Sequence, residues 1–417
     1  MASVTVAKTI GTASDFSTLQ LWDDGAPVDL TTAEQSAAGT FAVASFVQGE
    51  SLTFVGSGAT GKFLHTDSTG PGTGSFVTYG ITAGNPAASD VVTGGTSGAT
   101  CILSSGTADF VGVIWQGKVQ NEELSGAGGT RLLITGNTTS STAYFHLTTV
   151  ANASFRDNVN KQNNALRYNA SNGAALQGTS SASNIFNIES NFARLTGLQF
   201  DASGANSRVL RISANSVLIE YCILEGTATA SATTDGPIGL VNGSSIVFAN
   251  CVLVGMVTGL DHIVGTGNTT CALYNCTIVA PDDLAAAPTS IFAGTSGTVT
   301  VQNCALFAGD SGSAIKTGAA TYNFTTCYSD ISGTGGVTQT TYSSEFENIN
   351  QSTLDVRLKT GAAQINTGTT DAPNAAIDIV GTARPNGAAY DVGAWEFNQA
   401  VPTPITGLGR KFVLRPQ

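Results

Sequence analysis

The chain has 417 residues, 49 of them Gly, with 41% hydrophobic residues, only 11% charged residues and a formal net charge of −12. That hydrophobicity is ordinary for a folded protein, and a disordered chain would carry less of it and more charge. The acidic balance, with a pI near 4.5, argues against a general binder of nucleic acid or of an anionic membrane, and no stretch approaches the roughly 18 apolar residues of a spanning helix.

Residues 1–45 form an opening segment. Met1 to Thr12 has neither the basic start nor the apolar core of a secretory signal, so a route outside the cell by lysis is expected rather than secretion. The run Asp15-Phe16-Ser17-Thr18-Leu19-Gln20-Leu21-Trp22 is amphipathic and is expected to cap whatever core follows, because an open solenoid end exposes strand edges.

Residues 46–106 contain an internal duplication. Ser57-Gly58-Ala59-Thr60 recurs as Ser97-Gly98-Ala99-Thr100 at an offset of 40, with Leu52-Thr53 matching Val92-Thr93 and Phe63-Leu64 matching Ile102-Leu103. Two β-rich units with Gly-containing turns are predicted, inserted as a small module. Ser-Gly-Ala-Thr lacks the Lys of a phosphate-binding loop, so it reads as a tight turn.

Residues 107–335 carry a predicted solenoid. Strand-like runs at 111–115, 131–135 and 144–147 lead into a regular part from about 181. There an apolar residue is followed after three positions by an anchor, Cys or Leu, and usually by another apolar residue two further on. The anchors are Leu198, Cys222, Cys251, Cys276, Cys304 and Cys327, at steps of 24, 29, 25, 28 and 23 residues. A unit this short cannot bury its own apolar face and must stack on its neighbours. Positions five and three before the anchor share one strand face by period-two alternation, as do the anchor and its second successor. The intervening step of three breaks the alternation, so the chain must turn a corner there. Gly197, Tyr221, Asn250, Asn275, Asn303 and Thr326 stand at that corner, and Asn and Gly best tolerate the left-handed backbone it needs.

A third strand precedes each unit, at 185–188, 209–212, 238–241, 263–264, 291–292 and 314–315. Three strands per turn predict an all-β fold, a parallel β-helix, and the usual hand of parallel crossovers makes it right-handed. The seven Cys are read as buried small hydrophobes rather than disulfides. No CxxC or His-rich spacing supports a metal, and the three His stand apart at 65, 146 and 262. No cofactor is expected.

Residues 336–400 are read as a closing segment and 401–417 as a basic, Pro-containing tail. Arg410, Lys411 and Arg415 make that tail either a dock for an acidic partner or a solvated terminus.

Three stretches resemble the right-handed parallel β-helix repeat proteins of bacteria and their phages. DIVGTARPNGAAYDVGAWEF (378–397) is similar to that family's closing segment, Asp-Ile-x-Gly-x-x-Arg-Pro followed by Tyr-Asp-x-Gly-Ala-x-Glu. LDVRLKTGAAQINTGT resembles the segment before it, TIGTASDFSTLQLWDD resembles its opening, and the duplicated module resembles insertions of phage tail and virion proteins. The resemblance implies the fold; the family includes adhesins, lyases and structural proteins, so it does not choose an activity.

Candidate catalytic acids are few. Thr234-Asp235-Gly236 resembles part of the polygalacturonase-like Asn-Thr-Asp-Gly motif, but the following acid, the Gly-His-Gly and the Arg-Ile-Lys are missing. Asp282-Asp283 is a candidate pair and Asp261-His262 stands alone. Glycoside hydrolysis needs two carboxyls across the scissile bond, and the reading finds no two coils repeating acids on one face. The expected function is therefore a phage virion structural protein, a β-helical tailspike, fibre or capsid-decoration appendage serving attachment or assembly. Its expected partners are other virion subunits, a host surface glycan and, as a trimer, copies of itself. The alternative is a polysaccharide lyase or glycoside hydrolase; a bacterial surface adhesin is a third possibility.

Overall fold

The computed structural model describes residues 4–398 except 13, 15–16, 25, 27–28, 32–34, 43–45, 67–70, 83, 106–107, 110–111, 125–131, 159–160, 180–183, 204–207, 227–237, 242, 256–262, 285–288, 310–313 and 371–375. The protein is all-β, a parallel solenoid of about six regular turns. Its first coil is made of Asn184–Ile188, Arg194–Thr196 and Gln199–Ala202, and its second of Arg208–Ile212, Val217–Glu220 and Ile223–Gly226. The third contains Ile238–Leu240, Ser245–Ala249 and Val252–Gly255. Coils four and five depart from three separate strands. Their first two strands fuse into Ile263–Tyr274 and Ser290–Gln302, whose pairing shifts register between Gly265 and Asn268. The small residues there let the backbone bend without breaking the strand. Thr277–Val279 and Ala305–Phe307 complete those two coils. Ala314–Gly318, Thr321–Thr325 and Cys327–Ser329 form the sixth.

The corner is where the spacing places it. Gly197, Tyr221, Asn250, Asn275, Asn303 and Thr326 all have positive φ, between 51° and 75°. The first five each donate their backbone N–H to a carbonyl of the next coil at 2.9 to 3.1 Å, so the ladder of hydrogen bonds continues through the bend. Asn303 adds side-chain bonds, donating to Asn275 Oδ1 at 3.3 Å and to the Thr369 carbonyl at 2.7 Å. The six anchors are almost wholly buried, and all seven thiols are free. Cys222, Cys251, Cys304 and Cys327 each direct Sγ at a carbonyl of the preceding coil, at 3.4 to 3.8 Å.

The opening segment closes the first turns. Val4–Ile10 pairs in parallel with Val113–Val119 as an extra rung. The helix Leu19–Asp24 packs Trp22 into the core, edge-on to Phe145 at 5.7 Å. Gly117 leaves room for it, since a Cβ there would stand 2.7 Å from both Trp22 and Ile10.

The duplicated module is an antiparallel seven-stranded sheet running from Gln35–Phe41 to Ala108–Asp109, wider at both ends than the 46–106 repeat. Its own core gathers Phe41, Phe46, Phe54, Phe63 and Phe76. Ser51–Val55 pairs with Val91–Gly94, and Thr53 lies opposite Thr93, its own repeat equivalent. The two units are therefore related by a local pseudo-twofold axis.

After the last rung, Val337–Gln339, the closing segment turns back along the outside of the third sheet. Outward-facing Val252, Val254, Val279 and Phe307 meet Tyr342, Phe346, Leu354, Val356 and Trp395 in a second core. A strand apolar on both faces must be covered on both, and the run Val252-Leu253-Val254 carries that signal.

Candidate functional site

The outer face of the third sheet changes character towards the first coil. Register pairs Gln177 with Asp201, and Asp201 with Glu225, before the apolar Val254. Two acids thus stand side by side on neighbouring coils, about 4.8 Å apart in backbone spacing. This corrects the sequence reading that no coils repeat acids on one face: the 24-residue step from Leu198 to Cys222 also carries Asp201 onto Glu225, three positions after each anchor. Comparing outward positions at that step, and not only inward anchors, finds them.

Both carboxylates are nearly buried, at 3% exposure, beneath the segment running from Ser154 to Asn172. Glu225 accepts from Arg167 Nη2 at 2.5 Å and from the Tyr168 backbone N–H at 3.0 Å. Asp201 accepts from Gln177 Nε2 at 2.9 Å. Gln199, fully buried, accepts from the Asn169 N–H and donates to the Asn172 carbonyl at 2.8 Å. The Tyr168 hydroxyl donates to Glu123 at 2.7 Å. Burial first, then that bond and the charges of Glu123, Asp201 and Glu225, push the Tyr168 hydroxyl well above the ordinary phenol value. It therefore stays protonated and acts as a donor.

Above this layer opens a cleft of about 910 Å³ between Asn158 to Asn172 and the turn Ser352 to Leu354. Five Asn, at 158, 163, 164, 169 and 172, line it with Arg167, Tyr168 and Ser171. Asp201 and Glu225 do not line it. Asn164 Oδ1 accepts from the Leu166 N–H, which fixes the orientation of the amide. Its Nδ2 is buried and has no hydrogen-bond partner among the described residues. Buried donors are normally satisfied, so this enclosed amide is an exception at a residue of the cleft wall.

The other sequence candidates fall elsewhere. Asp282 and Asp283 are exposed at the junction of coil four with the closing segment, where Asp283 accepts from the Gln351 N–H at 2.5 Å. They are chain neighbours and do not face one another across a groove. Asp235, Asp261 and His262 lie outside the described residues, as do Arg410, Lys411 and Arg415 of the tail. Ser57 and Ser97 are held in turns, with Gly58 and Gly98 at positive φ. Among the described residues no three His, Cys, Asp or Glu side chains gather as a metal site.

No protein-family model and no curated protein matches this chain. Among solved structures it is similar to the pectin methylesterase of Aspergillus niger, at 15% identity over 58% of this chain and 85% of that one, with a TM-score of 0.31. A likeness that distant carries nothing about activity.

Proposed function

We propose that this protein is a β-helical appendage of a phage virion that recognises a polysaccharide of the host surface through the amide-lined cleft. The observation that carries the reading is the cleft's lining. Side-chain amides donate and accept at once, as sugar hydroxyls do, and five Asn, with Asn164 among them, line this one cleft. The virion setting rests on the resemblance of the opening, closing and duplicated segments. Holding the protein against a panel of host surface polysaccharides, and against isolated capsids and tails, tests it. Saturable binding of an intact glycan, weakened about tenfold or more by Asn164→Ala, is expected; no binding to any glycan, or binding indifferent to Asn164, overturns it.

One arrangement favours a second reading, a glycan-cleaving enzyme. Asp201 and Glu225 are register partners beside the cleft, and a retaining glycosidase places its two carboxyls roughly 5 Å apart. Against it, Glu225 is engaged by Arg167 and Tyr168. Depolymerisation abolished by Glu225→Gln, in a variant that still binds glycan, establishes the enzyme.

A further inference from the structure

A second, smaller pocket of about 250 Å³ is bordered by the same segment that walls the cleft. Its lining includes Thr148, Thr196, Arg156, Lys161 and Gly381. Asn158 and Asn163 look into the amide-lined cleft, whereas Arg156 and Lys161 look into this pocket.

The two cations converge. A Cβ built on Gly381 would stand 3.7 Å from both Arg156 Nη2 and Lys161 Nζ, so both nitrogens border one small volume above a residue with no side chain. Arg156 is fixed in place: Nε donates to the Ile379 carbonyl at 2.7 Å, and the guanidinium lies over the Tyr221 ring at 4.0 Å. Its position is thus set by the fold, with Nη2 turned to the pocket. Among the described residues the Lys161 ammonium has no ion-pair or hydrogen-bond partner. Asp157 also borders the pocket as a carboxylate, its Oδ2 accepting from the Ser154 N–H at 3.3 Å within the capping box. Glu220, the register partner of Thr196, lies within reach of the Arg156 charge, so Arg156 is in part balanced and the Lys161 ammonium is the cation left to an incoming anion. Thr148 adds a hydroxyl to the lining, and Thr196 one that meets His146 Nε2 at 3.3 Å. Thr148 is the register partner of Lys118, one rung further along the same outward face. Fixed guanidinium, free ammonium and hydroxyls around an open volume are what an oxyanion needs.

We infer that this pocket binds the anionic group, carboxylate or sulfate, of an acidic polysaccharide whose neutral part occupies the amide-lined cleft. The inference rests on the glycan reading above and names the class of glycan. In a protein of net charge −12, a polyanion is repelled by most of the surface, so these cations also select where the chain can lie.

The test is calorimetric titration of the full chain with uronate and sulfated oligosaccharides, their methyl-esterified and desulfated counterparts, and free sulfate and phosphate. The acidic forms are expected to bind at least tenfold more tightly than the neutral ones. Lys161→Ala should erase that difference, Lys161→Arg should restore most of it, and added salt should reduce it. The melting temperature of the Ala variant should match the parent, since the ammonium holds no internal contact. Equal binding of acidic and neutral forms, lost in Asn164→Ala and unchanged in Lys161→Ala, overturns the anion site and leaves the glycan reading standing. Binding of free sulfate or phosphate alone, with every oligosaccharide silent, overturns both.

Discussion

Glu50 and Asp90 are equivalent residues of the two repeats, and each holds the turn of the other. Glu50 accepts from the backbone N–H groups of Thr96 and Ser97 at 2.9 Å and from Ser97 Oγ at 2.8 Å. Asp90 accepts from the Ser57 N–H at 3.0 Å and from Ser57 Oγ at 2.6 Å. The pseudo-twofold at Thr53 and Thr93 makes the exchange reciprocal. The Ser-Gly-Ala-Thr turns are therefore structural clasps, and the serine of each is occupied by a carboxylate from the partner repeat.

Breaking one clasp leaves backbone donors unpaired, so Glu50→Gln or Asp90→Asn should each destabilise the module by about 1.5 to 3 kcal/mol. Burial raises both carboxyls, but their hydrogen bonds outweigh it and hold each below its ordinary value. A depressed folded value gives stability that is present above the unfolded value and is lost as pH falls through the folded one. Amide exchange in Ser51–Val55 and Val91–Gly94 should accelerate as pH drops below about 4, after correction for the intrinsic rate. In the double variant this acid sensitivity should vanish.

The anchor thiols predict a chemical silence. Burial pushes Cys327 of the ladder and Cys101 of the module up to about 11, and the thiolate is the reactive form. Cys276, which burial raises but the bonds from Cys251 and Cys304 hold below its ordinary value, is kept from reagents by its complete enclosure. Native protein at neutral pH should take up almost no thiol reagent over hours, and unfolded protein should take up seven equivalents. Mass spectrometry after timed alkylation distinguishes these. Fast labelling of any anchor Cys in native protein contradicts the ladder. Cys251→Ala should cost about 1 to 2 kcal/mol, for a cavity smaller than that of a Leu truncation.

Thr326 is the corner residue least suited to its backbone. Its φ is 52°, and a β-branched residue in the left-handed region is strained. Thr326→Asn should stabilise the protein by about 1 kcal/mol, read from a denaturation midpoint. Asn275→Ala should act in the opposite direction, losing both the tolerant backbone and its bond from Asn303. Equal stability of Thr326→Asn and the parent shows that neighbouring coils impose the corner at no cost to Thr.

Inward positions were legible because burial of every anchor imposes one periodic pattern, from which corners, coils and the Cys ladder follow. The fused strands of coils four and five were not legible, since apolar runs at 263–264 and 291–292 do not reveal that the next strand continues through Gly265 and Gly294. The fold-back of the closing segment was half legible. Its partner face, Val252 and Val254, reads as doubly apolar, but nothing local says what covers it. The site was legible least. Asp201 and Glu225 sit at one register, yet the cleft above them is made by residues 158–172, which share no period with the coils. Loops obey turn chemistry rather than stacking, so their joint geometry appears only once the chain is folded.

The motif DIVGTARPNGAAYDVGAWEF makes a buried polar knot. Arg384 is enclosed with Glu396, its Nε 3.5 Å from Oε2, and Nη2 donates to the Gly393 carbonyl at 2.7 Å. Asp378 accepts from the N–H groups of Val380, Thr382 and Glu396, and Asp391 from those of Asn366 and Phe397. Burial raises all three carboxyls above their ordinary values, although Arg384 and the backbone bonds pull the other way. A raised folded value gives stability that is full below the unfolded value and is lost as pH climbs through the folded one. The knot should therefore tighten as pH falls from 7 towards the ordinary carboxyl range at about 4, opposite to the module. Amide exchange of Val380, Thr382 and Phe397 should slow over that range, with intrinsic rates corrected, while the strands of the module keep their protection. Arg384→Gln leaves the acids without their cation and should cost about 3 to 5 kcal/mol at pH 7, and less at about pH 4, within the ordinary carboxyl range, where raised carboxyls hold their protons. A variant equally destabilised at both values means that Arg384 acts through its Gly393 bond and packing rather than through charge.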